Sequence, residues 1–141
     1  MKQDVATKIT GSCFCGAVQY ESEVEPKFSF NCHCRDCQKL TGSAYAPLAS
    51  FPKSALKITG EVKYFASTGI SGKQVHRGFC PQCGSRVFGL AEIAKDYISV
   101  HVGTMDEPNR FQPKVEFFTS HANVWDILNP DIPHFEKMMK P

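Results

Sequence analysis

Alternating apolar and polar residues recur along the chain and predict a domain built mainly of β-strands. In AVQYESEV the alternation places Val18 and Tyr20 on one face of a strand, and in YISVHVG it places Ile98 and Val100 together. The segments EVKYFAS and KQVHRGF are rich in residues that favour a pleated surface. Because one face of each segment is apolar and the other polar, small antiparallel sheets with one packed face are expected.

Helical patterns are sparse. A short helix is predicted from Cys34 to Thr41, because Gly42 then takes the position at which helices favour glycine. A second short turn is predicted after Pro52, before the strand-like LKITG. The tail, residues 126–141, contains three prolines and is therefore expected to form an extended strap instead of a long helix.

The length and composition are those of one soluble domain. We expect residues 1–141 to form a single domain with a core over about residues 11–135, since hydrophobic and charged fractions of 42% and 21% are ordinary for globular proteins. No stretch approaches the ~20 apolar residues of a membrane span, and no run of basic residues indicates a nucleic-acid surface. The N-terminal MKQDVATKIT lacks the apolar core of a signal peptide. A cytoplasmic protein with neither membrane nor nucleic acid as a partner is expected.

The seven cysteines carry the candidate chemistry. Their number is odd, so they cannot all be paired internally, and at about 5% of the chain they fall below the density of secreted disulfide scaffolds. Clustered cysteines in a reducing compartment are more often metal ligands or catalytic thiols than disulfides. Metal binding is therefore the favoured interpretation.

The most specific cysteine motif is FCPQCGSR, which contains Cys80 and Cys83. Proline within the turn and Gly84 after it allow the tight bend of a zinc knuckle, which brings two sulfurs to one ion at about 2.3 Å. The alternative is a thioredoxin-like redox pair, which should precede a long helix. Because the sequence continues as the strand-like SRVFGL, zinc is favoured.

A second pair, Cys13 and Cys15, lies in GSCFCGAV. Residues i and i+2 of a strand share one face about 6.6 Å apart, so their side chains can converge on one ion. A disulfide between such close neighbours would be a small strained ring. Joined to Cys80 and Cys83, this pair would complete a closed tetrahedral structural zinc site.

Three cysteines remain in FNCHCRDCQKLTG, namely Cys32, Cys34 and Cys37. Three protein ligands with an open fourth position are the pattern of a catalytic zinc. Cys34 and Cys37 fall at the start of the predicted helix, where thiolates are stabilised. The alternative is a zinc ribbon that joins these two cysteines to Cys80 and Cys83, although the intervening 42 residues are long for that motif.

Histidines are not needed as ligands in this interpretation. His33 stands between two cysteines but should point away from their shared face, so an exposed turn residue is expected. A zinc deaminase would need a His-x-Glu motif upstream of the knuckle. The one such motif in the chain, His134 to Glu136, lies downstream of every cysteine, which excludes that class.

A zinc ion on three thiolates carries a formal charge of −1 and should be a weak Lewis acid. Its soft ligands favour a further sulfur in the fourth position. Binding there would hold a substrate thiol as a thiolate near neutral pH without a dedicated base. A small-molecule thiol is therefore the expected substrate.

The ordered segments GSCFCGAVQY, NCHCRDCQKLTG and HRGFCPQCGS resemble the glutathione-dependent formaldehyde-activating enzyme family, which includes centromere protein V. The likeness extends through GTMDEP and PKVEFF to IPHF. It implies a β-tent fold of small antiparallel sheets, with one short helix at the second cysteine cluster and two zinc ions. In that fold, Cys13, Cys15, Cys80 and Cys83 would hold the structural ion, and Cys32, Cys34 and Cys37 the catalytic one.

The resemblance also implies a function. Family members join glutathione to formaldehyde, which is carbon–sulfur lyase chemistry, and this chain would act on a thiol adduct of formaldehyde or a related small aldehyde. Arg35 and Lys39 are candidate partners for the substrate's carboxylates, with plain solvated surface as the alternative. The competing hypothesis is a non-catalytic zinc module that carries glutathione or zinc, or binds a protein partner. Phe117, Phe118 and Trp125 are expected to be core residues in either case.

Overall fold

The computed structural model describes residues 8–138, so the first seven residues and the last three of the predicted strap lie outside the described range. The described chain contains eleven strands, one α-helix and five 3-10 helices. The α-helix is α1 (Arg35–Thr41). The strands are β1 (Ile9–Ser12), β2 (Gln19–Ser22), β3 (Phe28–Cys32), β4 (Ala46–Pro52), β5 (Leu56–Thr59), β6 (Lys63–Thr68), β7 (Gln74–Phe79), β8 (Arg86–Ala91), β9 (Tyr97–His101), β10 (Val115–Phe117) and β11 (His134–Phe135). The 3-10 helices are Lys53–Ala55, Glu92–Ala94, Val102–Thr104, Pro108–Arg110 and Thr119–His121.

Two sheets form the fold. The small sheet has three antiparallel strands in the order β1-β2-β5, and the large sheet has eight in the order β11-β10-β3-β4-β9-β8-β7-β6. A mainly β fold with one helix is thus confirmed. No helix within residues 8–138 has the length and apolar character needed to cross a membrane.

The alternation in the sequence places side chains as predicted. Val18 and Tyr20 are buried beneath the small sheet, and Ile98 and Val100 are buried in β9. These residues belong to one core cluster, which fills the space between the two sheets. A second and smaller core contains Cys32, Cys34 and Cys37 together with Phe117 and its neighbours.

The late strand β10 departs from the antiparallel expectation. It pairs parallel with β3, where Phe117 lies opposite Cys32, and parallel with β11. Parallel neighbours require a long crossover connection, and here it is the whole chain from Cys32 to Val115, which contains α1 and β4 to β9. Period-two alternation does not report strand direction, so the sequence pattern could not reveal this pairing.

Helix α1 has the boundaries that its end residues predict. Cys34 is the N-cap, and its sulfur accepts a hydrogen bond from the backbone N–H of Cys37. Gly42 ends the helix in the left-handed conformation, with φ of 70° and its N–H donated to the carbonyl of Gln38. The 3-10 turn after Pro52 is likewise confirmed.

Gly60 is a position where replacement should be costly. Its φ is +100°, and a Cβ there would lie 2.0 Å from the carbonyl oxygen of Ala17. We expect Gly60→Ala to lower the free energy of unfolding by about 2–4 kcal/mol in urea denaturation, from backbone strain and from steric conflict together. Gly72→Ala is the matched control, because Gly72 has φ of +85° with nothing near its would-be Cβ. Equal losses in the two variants would contradict the steric conflict.

Candidate metal centres

Four cysteine sulfurs converge where the two sheets meet. The Sγ atoms of Cys13, Cys15, Cys80 and Cys83 all lie within 4.8 Å of one another. The Cys13–Cys15 and Cys15–Cys80 sulfur distances are both 3.7 Å. A tetrahedron with metal–sulfur bonds of about 2.3 Å has edges of ~3.8 Å, whereas a disulfide needs ~2.05 Å. The spacing therefore fits four thiolates around one ion, and it does not fit a disulfide.

Two tight turns present these sulfurs. The first follows β1, where the N–H of Cys13 donates to the carbonyl of Val18 at 3.0 Å. The second joins β7 to β8, where the N–H of Gly84 donates to the carbonyl of Cys80 at 2.8 Å and Gly84 adopts φ of 78°. One turn belongs to the small sheet and the other to the large sheet, so an ion in this cluster would tie the sheets together.

Hydrogen bonds to sulfur favour thiolates in this cluster. The N–H of Val18 donates to Cys13 Sγ at 3.3 Å, and the N–H of Gln82 donates to Cys80 Sγ at 3.4 Å. The hydroxyl of Ser85 lies 3.2 Å from Cys83 Sγ, and this contact is the main reason that the pKa of Cys83 is lowered to about 5. The cluster can hold a divalent cation, because thiolates are the form of cysteine that binds metal.

The second cluster is built from a strand end and the first turn of α1. Cys32 ends β3, Cys34 caps the helix and Cys37 lies in the helix's first turn. Their sulfurs lie within 4.8 Å of one another, and all three residues are buried. The structure thus brings the seven cysteines together as a group of four and a group of three, as their spacing predicted.

Three thiols at this distance compete for protons. Hydrogen bonds from Cys32 and Cys37 lower the pKa of Cys34 to about 2, and the same contact with Cys34 raises the pKa of Cys32 far above its ordinary value. The sulfurs cannot all ionise without a neighbouring positive charge. A divalent cation supplies that charge, so the donor set fits a metal ion.

Arg77 supplies a second source of positive charge near this cluster. Its side chain in β7 is 16% exposed, and its guanidinium lies 3.9 Å from the carboxylate of Asp36, in the first turn of α1. Its Nε atom is buried and has no hydrogen-bond partner within the described chain. Arg77 also contributes to the lowered pKa of Cys34. The pattern KQVHRGF indicates only a strand face, so the sequence does not predict this position of Arg77.

The expectation that His33 is an exposed turn residue is wrong. His33 is 1% exposed, and its ring lies between two carboxylates. Its Nε2 contacts Glu116 Oε1, and its Nδ1 lies 2.6 Å from Asp126 Oδ2. The ring lies in the protein interior and does not join the three sulfurs in a potential metal site. Since both ring nitrogens are engaged, His33 is not free to act as a fourth ligand.

Glu116 and Asp126 were missed as well. Glu116 is 2% exposed in β10 and also accepts a hydrogen bond from Asn31 at 3.0 Å. Asp126 follows Trp125 in a loop, and its side chain is 3% exposed. Glu116 is a charged residue inside the apolar segment PKVEFF, and this position could have indicated a buried role. Nothing in the sequence linked Glu116 to a histidine 83 residues away.

Gln38 joins the helix to this buried network. Its Nε2 donates to the carbonyls of His33 at 2.7 Å and His121 at 3.0 Å. Its Oε1 accepts from Arg35 Nη1 and from Asn123 Nδ2. The loop that carries the three cysteines is therefore fixed from both the helix side and the β10 side.

The other predicted residues lie as follows. Arg35 and Lys39 are on the exposed side of α1, and the guanidinium of Arg35 is engaged by Gln38. Phe117 and Phe118 are buried, which confirms them as core residues. Trp125 is 65% exposed, so its assignment to the core is wrong. The inward turn of the neighbouring Asp126 accounts for this exposure.

The chain is similar to known proteins both in its fold and in the segment that carries the two cysteine clusters. A crystal structure of a Rhodobacter sphaeroides protein is similar in fold, with a TM-score of 0.53 and 18% sequence identity over 89% of this chain and 99% of that one. No curated protein gives a significant match. A profile of the glutathione-dependent formaldehyde-activating enzymes matches residues 8–121, a segment that includes both cysteine clusters. The chain therefore belongs to the glutathione-dependent formaldehyde-activating enzyme family.

Proposed function

We propose that this protein is a zinc-dependent enzyme of the carbon–sulfur lyase type, which acts on the adduct of glutathione, or another thiol, with formaldehyde or a related small aldehyde. Family membership supports the substrate class. The observation that carries the proposal is the difference between the clusters, since one presents four sulfurs and the other three. Four thiolates close a tetrahedral site, and three leave one position for a substrate.

The fourth position of the smaller cluster has no evident protein ligand. His33 is the nearest candidate in sequence, but both of its ring nitrogens contact carboxylates. Within residues 8–138, no other histidine or carboxylate joins Cys32, Cys34 and Cys37 in a potential metal site. This leaves room for an external sulfur, which is the donor that a thiolate-bound soft site favours.

The proposed reaction is a simple addition. A carbon–sulfur bond forms between the thiol sulfur and the aldehyde carbon, the carbon–oxygen π bond breaks, and the thiol proton is transferred to the new hydroxyl group. No oxidant or reductant is needed. A zinc ion bound by the three cysteines supplies Lewis acidity that keeps the substrate sulfur deprotonated near neutral pH.

The chain's own residues prepare this site. The Cys37 N–H, which lies in the first turn of α1, donates to Cys34 Sγ at 3.4 Å and helps to hold that sulfur as a thiolate. Arg77 offsets part of the negative charge that three thiolates and a substrate thiolate bring together. Arg35 and Lys39, on the exposed side of the same helix, remain proposed partners for a substrate carboxylate.

A binding module is the second candidate function. Val124, Trp125 and Ile127 are exposed on a loop that Asp126 anchors to the buried His33. Apolar side chains held outward on an anchored loop favour contact with a partner protein. Such a module would carry zinc or glutathione without turnover.

Zinc retention should distinguish the two clusters. We expect two zinc ions per chain in metal analysis, one of which is removed by a mild chelator because its coordination is incomplete. Glutathione should protect that ion, since its sulfur would fill the open position. Two ions that resist the chelator equally, with or without glutathione, would instead indicate a structural zinc module.

Turnover needs a separate measurement, because glutathione and formaldehyde combine without a catalyst. NMR exchange spectroscopy at equilibrium measures how fast formaldehyde enters and leaves its glutathione adduct. The zinc-loaded protein should accelerate this exchange, and Cys37→Ser should abolish the acceleration while keeping the structural ion. Glutathione binding with an unchanged exchange rate would favour the binding module.

A further inference from the structure

A groove of about 620 Å³ lies at the C-terminal end of α1, the helix that begins at the three-cysteine cluster. It runs between the C-terminal half of α1 and the start of β8, and the side chains that matter for its chemistry are Thr41, Tyr45, Ser85, Arg86, His101 and Thr104. Among the described residues that line the groove, none is acidic, and Arg86 is the one with a permanent charge. Its volume falls within the range of small-molecule sites, roughly 300–1,000 Å³.

Two contacts connect the groove to the cluster. The ring of Tyr45 lies 4.9 Å from the ring of His33, which separates Cys32 from Cys34. The hydroxyl of Thr41 donates to the carbonyl of Cys37 at 2.8 Å. The wall of the groove is thus part of the structure that holds the three sulfurs.

The sheet register gives the distance from the cluster to the groove. Cys32 pairs with Ala46 and His101 pairs with Leu48, so all four residues share one face of the large sheet. Two strand spacings of about 4.8 Å and two residues of about 3.3 Å separate the Cα atoms of Cys32 and His101 by roughly 12 Å. Three extended residues span up to ~10 Å. The wall of the groove begins nearer to the cluster than His101, at Tyr45 beside His33 and at Thr41 beside Cys37, so a tripeptide thiol with its sulfur at the cluster can enter the groove.

Arg86 is held in a position suited to an anion. Its guanidinium carbon lies 5.2 Å from the centre of the Phe79 ring, and it forms no ion pair within the described chain. Stacking restricts the side chain while leaving its N–H groups free for a ligand. Nearby, burial followed by the charges of Arg77 and Arg86 lowers the pKa of His101 to about 4, so this histidine is neutral at physiological pH.

We propose that the groove is the carboxylate-binding part of the thiol site, in which Arg86 receives a carboxylate of the substrate while the substrate sulfur lies at Cys32, Cys34 and Cys37. The role of the groove rests on the function proposed above. A guanidinium makes paired hydrogen bonds to a carboxylate. This arrangement would select thiols that carry a carboxylate at peptide distance from the sulfur.

Calorimetric titration of the zinc-loaded protein tests this role with two ligands, glutathione and its diethyl ester. We expect wild type to bind glutathione more tightly than the ester. Arg86→Gln should weaken glutathione binding by about 10- to 100-fold, the range for a charged hydrogen bond, without weakening ester binding further. Arg86→Lys should recover part of the loss. Lys95→Gln is the control, because it removes an exposed cation outside the groove.

The outcomes separate the subsite from the proposed function. If Arg86→Gln binds glutathione as wild type does, or if wild type binds both ligands equally, the carboxylate subsite is wrong and the thiol site stands. If wild type binds neither ligand, the proposed function fails and the subsite with it. Unchanged thermal unfolding and zinc content in Arg86→Gln and Arg86→Lys confirm that the comparison reports on binding.

Discussion

Replacing Cys80 with serine is expected to unfold the domain. Cys80 is fully buried, and its cluster joins the turn after β1 to the turn between β7 and β8. Zinc binding in small structural sites contributes ~10–16 kcal/mol, which is comparable with the ~5–15 kcal/mol net stability of a typical domain. Circular dichroism and urea denaturation should show a chain without cooperative folding, and metal analysis should show that the structural ion is lost.

Cys37→Ser is the matched comparison. Its cluster lies within a single loop and the start of one helix, residues 32–37, so losing an ion there releases no long segment. In the larger cluster, Cys15 and Cys80 are 65 residues apart, and an ion between them closes a large loop. We expect Cys37→Ser to stay folded with about one zinc ion per chain. Equal damage from both replacements would mean that both sites are structural.

Glu116→Ala should cause the second largest loss of stability, about 3–5 kcal/mol in the free energy of unfolding. Glu116 is buried in β10, where its carboxylate contacts the ring of His33 and accepts from Asn31. Truncation would leave both partners buried without an acceptor, which costs more than the interaction itself contributes. Urea denaturation measures the loss, and the ion of the three-cysteine cluster should become easier to extract because His33 separates Cys32 from Cys34.

Glu116→Gln is the control that keeps the size of the side chain and removes its negative charge. The amide occupies nearly the same volume and keeps one acceptor oxygen for Asn31 or His33, so we expect a loss of about 1–2 kcal/mol. If the alanine and glutamine variants are both as stable as wild type, the buried contacts do not hold the loop. A large loss in both variants would mean that the negative charge itself is required.

Local signals accounted for much of the fold. The apolar alternation of AVQYESEV and YISVHVG predicted which residues of β2 and β9 are buried, because that alternation depends only on neighbouring residues. Gly42 predicted the end of α1 through its tolerance of positive φ. Cysteine spacing predicted the three-cysteine cluster and each pair of the larger one, since ligands that are close in sequence must also be close in space. The joining of the two pairs followed from the four ligands that a closed site needs.

The remaining parts depend on distant residues. The carboxylates that bury His33 are 83 and 93 residues away from it, so its burial could not be inferred from its own segment. The parallel pairing of β10 with β3 depends on how the chain returns after β9. Arg77 and Arg86 come from neighbouring strands, and only the folded sheet places them near α1 and the groove.

The position of β10 has a consequence for the order in which the protein assembles during synthesis. The four cysteines of the larger cluster have all been translated by residue 83, so that cluster can bind its ion early. The partners of His33, Glu116 and Asp126, are translated last, together with the two strands that complete the edge of the large sheet beside β3. Because His33 gains these partners only after residue 126 has emerged, the loop with Cys32, Cys34 and Cys37 is expected to be fixed after the larger cluster. A nascent chain would therefore assemble its four-cysteine cluster before its three-cysteine one.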